Sequence, residues 1–358
     1  MALTMYHYIY EQQQALQHIL QIRKTCTAGF VSRFQNDPPD RIYLIGSGTS
    51  LNGALAAAPF MEQVLQIEVT AHAPSMLPVI RGNRPLILLI SQGGNSTNML
   101  AAIDELKGRP FLALTGSSDC RINEVCSEHI LLACGPEEAG PKTKGYVSTI
   151  LTLYLMALEA ALAAGFLPGK QYDAFIAGLE SAVSAIDSNL RSAEAWVRAN
   201  MEAISGTPQF VLVGKHQAGI VAREGALKLV ETVLTPALAY EFEEFLHGPI
   251  GLINDKLGGI YFLPPRDDPD RGRMLALADY HQKQGACVCI VAPDADVQLP
   301  GALTLEGTGP WHTLPFVQIL VCQLIGAILP EAMGLPDRGM QIFSQIDRLV
   351  NIKYGGRA

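Results

Sequence analysis

Two short loops rich in hydroxyl and amide side chains are the first candidates for chemistry in this sequence. The loop SQGGNSTN, from Ser91 to Asn98, directly follows the apolar run PLILLI. Its glycines let a ligand approach backbone N–H groups, and a helix beginning after the loop adds a favourable dipole, so the pattern suits a phosphate. The hydroxyl and amide side chains of this loop are the candidate ligands. Because the loop contains no lysine, it is not a Walker-type phosphate loop.

The loop GSGTS, from Gly46 to Ser50, has the same character. Ser47, Thr49 and Ser50 bring three hydroxyls to a second predicted helix start. A glycine turn in which Ser or Thr caps the helix explains this loop as well. Both interpretations therefore stay open for it.

Charged residues recur along one helix-like segment of the second half, EGALKLVE. Glu224, Lys228 and Glu231 are spaced i, i+4 and i+7, which places them on one narrow stripe of a helix. Such a stripe faces a polar site or water, and the second alternative leaves only a Glu224–Lys228 pair worth about 0.2–0.5 kcal/mol. His247 follows within EFLHGP on a predicted turn, where catalytic side chains often lie.

An internal repeat supplies the elements that must position these residues. The run RIYLIG at 41–46 recurs as QFVLVG at 209–214, and each copy is followed by further apolar runs and a long apolar helix. The further runs lie at 85–90, 111–115 and 130–133 in the first half and at 258–263, 286–291 and 303–305 in the second. Continuous apolar strands that alternate with helices indicate parallel sheets covered on both faces. The predicted fold is α/β: two tandem three-layer sandwiches, each with a flavodoxin-like parallel sheet.

The same pattern predicts the division of the chain. We expect an N-terminal helix at 1–30, a first domain at 31–167, a helical connection at 168–202, a second domain at 203–340 and a C-terminal tail at 341–358.

Composition excludes several classes of protein. The formal net charge of −8 and the pI of about 5.5 argue against a nucleic-acid binder. The low charged fraction, 17%, indicates large buried surfaces, including a subunit interface. The seven cysteines contain no CxxC pair, so we expect reduced thiols in the cytoplasm and no metal site. The most apolar segment, 148–164, is interrupted by Glu159 and predicts a buried helix and no membrane span.

Taken together, these motifs resemble the sugar isomerase (SIS) domain family. The loops GSGTS and SQGGNSTN, followed by KTKG at 142–145, are similar to those of a SIS domain. EGALKLVE and EFLHGP resemble the isomerase half of glucosamine-6-phosphate synthase and its stand-alone relatives, which include fructosamine-6-phosphate deglycases. The resemblance implies two tandem SIS domains, at 31–167 and 203–340.

The resemblance also implies roles for individual residues. It implies that Glu231 is the catalytic carboxylate and that His247 is the catalytic histidine. The implied substrate- or phosphate-binding residues are Ser47, Thr49, Ser50, Ser91, Gln92, Ser96, Lys142, Thr143, Glu224 and Lys228.

Four departures from the patterns of these relatives are visible. Relatives often have a third hydroxyl where Gly93 stands and an acidic residue where Asn95 stands. The synthase has a lysine near its C-terminus, but the corresponding stretch here, 335–341, has none. Too few residues precede Arg41 for a glutaminase half, so we expect that this chain does not draw ammonia from glutamine.

The resemblance implies a cytoplasmic phosphosugar-processing enzyme that needs no metal or organic cofactor. The expected partner is a hexose 6-phosphate or a ketosamine 6-phosphate, and the expected assembly is a homodimer or higher homo-oligomer. The leading hypothesis is a deglycase that splits a compound such as fructoselysine 6-phosphate, and the acidic segment 240–244 is a candidate contact for its amine. The alternatives are a glucosamine-6-phosphate deaminase, an aldose–ketose isomerase and a non-catalytic sugar-phosphate sensor.

Overall fold

The structure is a computed structural model that describes residues 4–126, 128–307, 309–335 and 338–353. The helices, in chain order, are α1 (Met5–Tyr10), α2 (Gln12–Gln21), α3 (Arg23–Cys26), α4 (Ala28–Asn36), α5 (Thr49–Leu65), α6 (Thr97–Glu105), α7 (Arg121–Val125), α8 (Lys144–Ala163), α9 (Gly169–Ser184), α10 (Ile186–Ala199), α11 (Met201–Ser205), α12 (Gln217–Lys228), α13 (Phe242–Leu246), α14 (Arg271–Lys283), α15 (Leu314–Gln318), α16 (Leu320–Ala332) and α17 (Arg338–Val350). The strands are β1 (Arg41–Gly46), β2 (Glu68–His72), β3 (Pro85–Ser91), β4 (Leu112–Thr115), β5 (His129–Leu131), β6 (Gln209–Gly214), β7 (Ala237–Glu241), β8 (Leu257–Phe262), β9 (Val288–Ala292) and β10 (Ala302–Thr304).

Each half of the chain forms a five-stranded parallel sheet. The strand order is β2-β1-β3-β4-β5 in the first sheet and β7-β6-β8-β9-β10 in the second. Both sheets therefore follow the flavodoxin-like order, in which the first strand lies between the second and the third. The predicted α/β fold and its internal repeat are confirmed.

The central strands form where the sequence has continuous apolar runs, because both faces of a parallel sheet are covered by helices. In β3 every residue after Pro85 is buried, and in β8 every residue is buried. The sequence interpretation missed one edge strand of each sheet, β2 and β7, which pair with β1 and β6. Their side chains are mostly half-buried, since an edge strand has one neighbour. EVTAH lacks a continuous apolar run, and ALAYE contains no β-branched residue.

Two long apolar helices lie in the cores. The segments Lys144–Ala163 and Trp311–Ala332 are long and apolar enough to cross a membrane by length and composition, and 89% of each apolar window is buried inside the protein. In α8, Tyr146 and Tyr154 are fully buried, and Tyr154 packs on Phe60 of α5 with ring centroids 4.1 Å apart. The predicted burial of the helix at 148–164 is thus confirmed.

The chain divides into two compact units. The first unit comprises Gln14–Ala177 and Met340–Ala358, and the second comprises Met1–Gln13 and Gly178–Gly339, over the described residues of each. The first unit contains β1–β5 and the second contains β6–β10. The division falls within α9, inside the segment predicted as a helical connection, and the C-terminal residues group with the first unit.

All seven cysteines are free thiols. Burial raises the pKa of Cys134 to about 11 and that of Cys26 to about 11. A thiol with a raised pKa stays protonated and unreactive at neutral pH. Among the described residues, no group of three or more His, Cys, Asp or Glu side chains is placed to hold a metal ion.

Candidate functional site

The hydroxyl-rich loop between β3 and α6 is a braced turn. The Ser91 Oγ accepts a hydrogen bond from the backbone N–H of Gly94 at 3.2 Å. Gly94 has a φ of +63°, and a Cβ there would lie 2.2 Å from the Sγ of Cys120. Only glycine satisfies both conditions, so the turn is fixed by its own backbone and packing.

The loop between β1 and α5 lies directly beside it. Since β1 and β3 are adjacent parallel strands, their carboxyl ends meet at one edge of the sheet. The Nδ2 of Asn98 donates to the Oγ of Ser47 at 2.9 Å and joins the two loops. Thr49 and Ser50 open α5 in the same region. The two predicted loops therefore form one cluster in the first unit.

Three serine hydroxyls in this cluster keep a hydrogen to donate. Ser47 and Ser91 each accept a hydrogen bond through Oγ, and Ser96 precedes α6 without capping it. Within the described part of the chain, none of these three hydroxyls donates to another protein group. A phosphate has oxygens that accept hydrogen bonds, so neutral donors at a helix N-terminus match it.

A buried carboxylate that the sequence interpretation missed, Glu137, organises the third loop of the first unit. Its Oε1 accepts from the backbone N–H of Thr143 at 2.6 Å and from the Thr143 hydroxyl at 2.8 Å. Its Oε2 accepts from the backbone N–H of Gly145 at 2.9 Å and from the Nε2 of Gln92 at 3.0 Å. Glu137 thus occupies the N-terminus of α8, where a negative charge is favourable, and ties this helix to the loop after β3.

Around Glu137, several hydrogen-bond donors of Gln92, Lys142 and Thr143 are already engaged within the protein. Thr143 already donates both its backbone and its hydroxyl hydrogens to the carboxylate, and the Lys142 Nζ donates to the carbonyl oxygens of residues 137 and 139. Gln92 lies so close to α8 that a Cβ on Gly145 would be 2.1 Å from its Oε1. All three residues belong to the cluster, and their contact with a substrate stays a prediction.

The charged residues of EGALKLVE form a second cluster, in the second unit. The Lys228 Nζ lies 3.3 Å from the Glu224 Oε1 and 2.8 Å from the Glu231 Oε2. The side chains of Lys228 and Glu224 are 0% and 1% exposed, whereas that of Glu231 is 35% exposed. The alternative of a solvated stripe is excluded, because two of the three charged groups lie in the interior.

Glu231 lies on an irregular turn, which the i, i+4, i+7 spacing does not predict. The α-helix α12 ends at Lys228, and the next turn, Leu229–Val233, is π-helical. It ends at Leu234, which has a φ of +57°. Positive φ is rare for leucine, and π turns occur often at functional sites. This turn presents the Glu231 carboxylate towards solvent while the lysine beneath it stays buried.

Electrostatics keep Lys228 charged in spite of its burial. Burial opposes the ammonium form, but the attraction of Glu224 and then of Glu231 outweighs this effect, so the pKa of Lys228 is raised. A lysine that remains cationic in the interior holds one oxygen of Glu231 in place. The other oxygen of the carboxylate is left to act on a ligand.

His247 lies on an exposed turn in the same unit. It follows α13 directly and precedes Gly248, which has a φ of +136°. Within the described residues the His247 imidazole makes no hydrogen bond, and its backbone N–H donates to the carbonyl of Glu244. The predicted turn is therefore present, and the imidazole is open to a ligand or to another chain.

In the acidic segment 240–244, the candidate contact for the amine of the substrate, most of the carboxylates already have partners within the protein. Tyr240 and Glu241 belong to β7, and Glu241 caps α13 by accepting from the backbone N–H groups of Glu243 and Glu244. Glu243 pairs with Arg273. Two of the three carboxylates are thus engaged within the protein, which leaves Glu244 as the exposed one.

The strand ends of the second unit carry ion pairs where those of the first carry hydroxyls. Lys215, directly after β6, pairs with Asp268 and Asp270, which follow β8, at 2.8 and 2.7 Å. Arg271 pairs with Asp294 and Asp296 after β9 at 2.7 and 2.5 Å. The cations at this edge are therefore neutralised by the protein's own carboxylates.

Comparison with known proteins agrees with the fold and the motifs. Residues 37–161 match the family model of the SIS domain. The glutamine–fructose-6-phosphate aminotransferase (isomerizing) of Aeropyrum pernix is 25% identical over 301 residues, which cover 79% of this chain and 48% of that protein. The chain thus spans about half the length of the curated relatives it matches.

Two solved structures have the same fold over nearly the whole chain. A proposed phosphosugar isomerase from Clostridium difficile is 24% identical, with a TM-score of 0.84, and the match covers 95% of this chain and 98% of that one. The C-terminal domain of glucosamine-fructose-6-phosphate aminotransferase from Francisella tularensis is 19% identical, with a TM-score of 0.81, and covers 92% and 96%. The first half of the chain therefore contains a segment that matches the SIS domain, at 37–161, and the second half repeats its strand order.

Proposed function

We propose that this protein is a phosphosugar-processing enzyme whose reaction is the deglycation of a ketosamine 6-phosphate. The observation that carries the proposal is the Glu231 carboxylate, which is held on one side by a fully buried lysine and is 35% exposed on the other. A fixed, partly exposed carboxylate suits the removal of a proton from carbon. The hydroxyl cluster of the first unit is the candidate binding group for a phosphate.

The proposed reaction proceeds by proton transfers and hydrolysis. After ring opening, Glu231 removes a proton from C1 of the open-chain ketosamine, next to the C2 carbonyl, and an enolamine forms. Return of a proton to C2 gives an aldimine between C1 and the nitrogen. Water then adds to C1, the C1–N bond breaks, and the products are a hexose 6-phosphate and a free amine. His247 carries the proton at the ring oxygen, a role suited to imidazole near neutral pH.

The exposure of the catalytic pair supports a deglycase over a simple isomerase. A ketosamine carries an amine substituent that extends beyond the sugar, and the partly exposed Glu231 and the exposed His247 leave room for it. The stretch PKTKGY, at 141–146, also resembles that branch of the family. The seven free thiols fit the cytoplasm, where we place the reaction.

A second candidate is interconversion of amino and keto sugar phosphates without deglycation. The relative from Aeropyrum pernix is named an isomerizing aminotransferase of fructose 6-phosphate. The same Glu231–His247 pair serves deamination of glucosamine 6-phosphate or aldose–ketose isomerisation, since each moves a proton between C1 and C2.

A product screen separates these candidates. The full chain is incubated with fructoselysine 6-phosphate and related ketosamine 6-phosphates, with glucosamine 6-phosphate and with fructose 6-phosphate, and hexose 6-phosphate and free amine are measured. We expect amine release from a ketosamine, with turnover of Glu231→Gln reduced about 10²–10⁴-fold. Glu202→Gln, a substitution on the exposed surface of the same unit, is the matched control. Turnover of glucosamine 6-phosphate alone would favour the second candidate, and binding without any turnover would indicate a sensor.

A further inference from the structure

The C-terminal segment reaches the loop between β3 and α6. The backbone N–H of Thr97 donates to the carbonyl oxygen of Ile352 at 3.0 Å, and Ser96 and Lys353 form an isolated antiparallel bridge. Further along the segment, Met340 packs on the loop before α8, where a Cβ on Gly140 would lie 1.9 Å from its Sδ. All these contacts lie within the first unit.

The turn that carries Lys353 is itself held in place. The Oδ1 of Asp347 accepts from the backbone N–H of Lys353 at 2.9 Å, and the Asp347 carbonyl accepts from the N–H of Asn351 at 2.8 Å. Asn351 has a φ of +52°, a conformation that asparagine adopts more readily than most residues. The backbone of Lys353 is therefore held beside Ser96 by the bridge, which includes the Thr97–Ile352 hydrogen bond, and by its own hydrogen bond to Asp347.

The side chain of Lys353 has no carboxylate partner among the described residues. Its Nζ lies 5.3 Å from the ring centroid of Phe343, a weak cation–π contact on an exposed surface. Residues paired across an antiparallel bridge have Cα atoms about 4.5–5.5 Å apart. A lysine side chain at 353 is long enough to reach a group bound at the Ser96 hydroxyl.

We propose that Lys353 is the cationic ligand of the phosphate group bound by the loop 91–98. The inference rests on the proposed function, because that function assigns the phosphate to this loop. The serine hydroxyls are neutral donors that fix the orientation of a phosphate, and the loop has no cation of its own. The Lys353 ammonium supplies the missing charge by exchanging its contact with Phe343 for a charge-assisted hydrogen bond to a phosphate oxygen.

The test measures phosphate binding directly and needs no knowledge of the sugar. Inorganic phosphate is titrated into the full chain by calorimetry at low ionic strength, with wild type, Lys353→Met, Lys353→Arg and the surface control Lys170→Met. We expect Lys353→Met to raise the Kd for phosphate about 3–10-fold, the range for a partly exposed charged contact. Lys353→Arg restores most of the affinity, and Lys170→Met leaves it unchanged. The weakening shrinks as salt is added.

The outcomes separate this inference from the proposed function. If wild type binds phosphate and Lys353→Met binds it equally well, the role of Lys353 is wrong and the loop assignment stands. If wild type and all variants fail to bind phosphate, both are wrong. Because Lys353 is exposed, the thermal unfolding midpoint of Lys353→Met without phosphate is expected to match that of wild type, so a folding defect is recognised separately.

Discussion

The substitution Lys228→Met removes the ammonium from between Glu224 and Glu231 and leaves an unbranched apolar side chain in its place. Glu224 is 1% exposed, so its charge stays in the interior without this partner. Removal of one member of a buried ion pair costs about 3–5 kcal/mol. Glu231 is 35% exposed and partly screened by water, so its share of the loss is small. We expect the free energy of unfolding of the second unit to fall by this amount.

A double variant separates the charge effect from the loss of packing. Glu224→Gln/Lys228→Met removes both buried charges together and is expected to recover much of the stability, with a coupling energy of about 1–3 kcal/mol in the double-mutant cycle. Lys283→Met is the matched control, because Lys283 is 70% exposed in its pair with Asp279, and we expect a change within about 0.5 kcal/mol.

The assay is urea unfolding of five proteins: wild type, Lys228→Met, Glu224→Gln, the double variant and Lys283→Met. Unfolding is followed by circular dichroism and by tryptophan fluorescence. Since the chain has two units, the transitions are fitted separately where the two signals differ. A loss below about 1 kcal/mol for Lys228→Met would refute the reasoning, since it would mean that the lysine and Glu224 are hydrated. Strict additivity of the two single substitutions would refute it as well, because it would mean that the charges do not interact.

Three further predictions concern the loop, the pH response and the assembly. Gly93→Ser introduces the hydroxyl that relatives often carry, and a Cβ at this position would have no other atom within 4 Å. We expect the KM for the sugar phosphate to fall about 3-fold with kcat unchanged. A rise in KM would contradict the assignment of the loop to the phosphate. Burial lowers the pKa of His312 to about 4. The unfolded chain therefore takes up a proton below about pH 6.5 that the folded protein does not. The free energy of unfolding is highest above this pH and falls by up to about 3 kcal/mol towards pH 4. Thermal unfolding at pH 7.5, 6 and 5 checks this, and a His312→Gln variant with the same pH slope as wild type would rule out the assignment. The protein is expected to be a homodimer at micromolar concentration, and a light-scattering mass of one chain would exclude this.

The central strands and core helices could be predicted from the sequence because burial on both faces leaves continuous apolar runs. The edge strands β2 and β7 could not, since they keep half-exposed, mixed side chains. The opposite edge strands, β5 and β10, were predicted because they lie in short apolar runs. The ends of β5 and β9 were displaced by one or two residues from the predicted 130–133 and 286–291 for a similar reason, because apolar loop residues continue the run.

Within the candidate site, the sequence predicted residue types better than their contacts. The meeting of Ser47 with the loop after β3 follows from parallel topology, and the clustering of Glu224, Lys228 and Glu231 follows from helical spacing. Glu137 was missed although the acidic stretch GPEEAGP precedes the α8 start, where a helix N-terminus attracts a carboxylate. The position of Lys353 beside Ser96 could not be predicted, since it depends on a turn that lies far along the chain from the loop.

The ion pairs at the strand ends of the second unit affect how many phosphates one chain is expected to bind. The two halves share one strand order, yet Lys215 and Arg271 are already paired with aspartates. Among the residues that the structure describes, no carboxylate accepts a hydrogen bond from Ser47 or Ser91. A duplicated fold would offer two equivalent docking positions if the sheet itself recognised phosphate. Because recognition resides in the loops, only the first unit is expected to bind phosphate. A titration is therefore expected to saturate at one phosphate per chain.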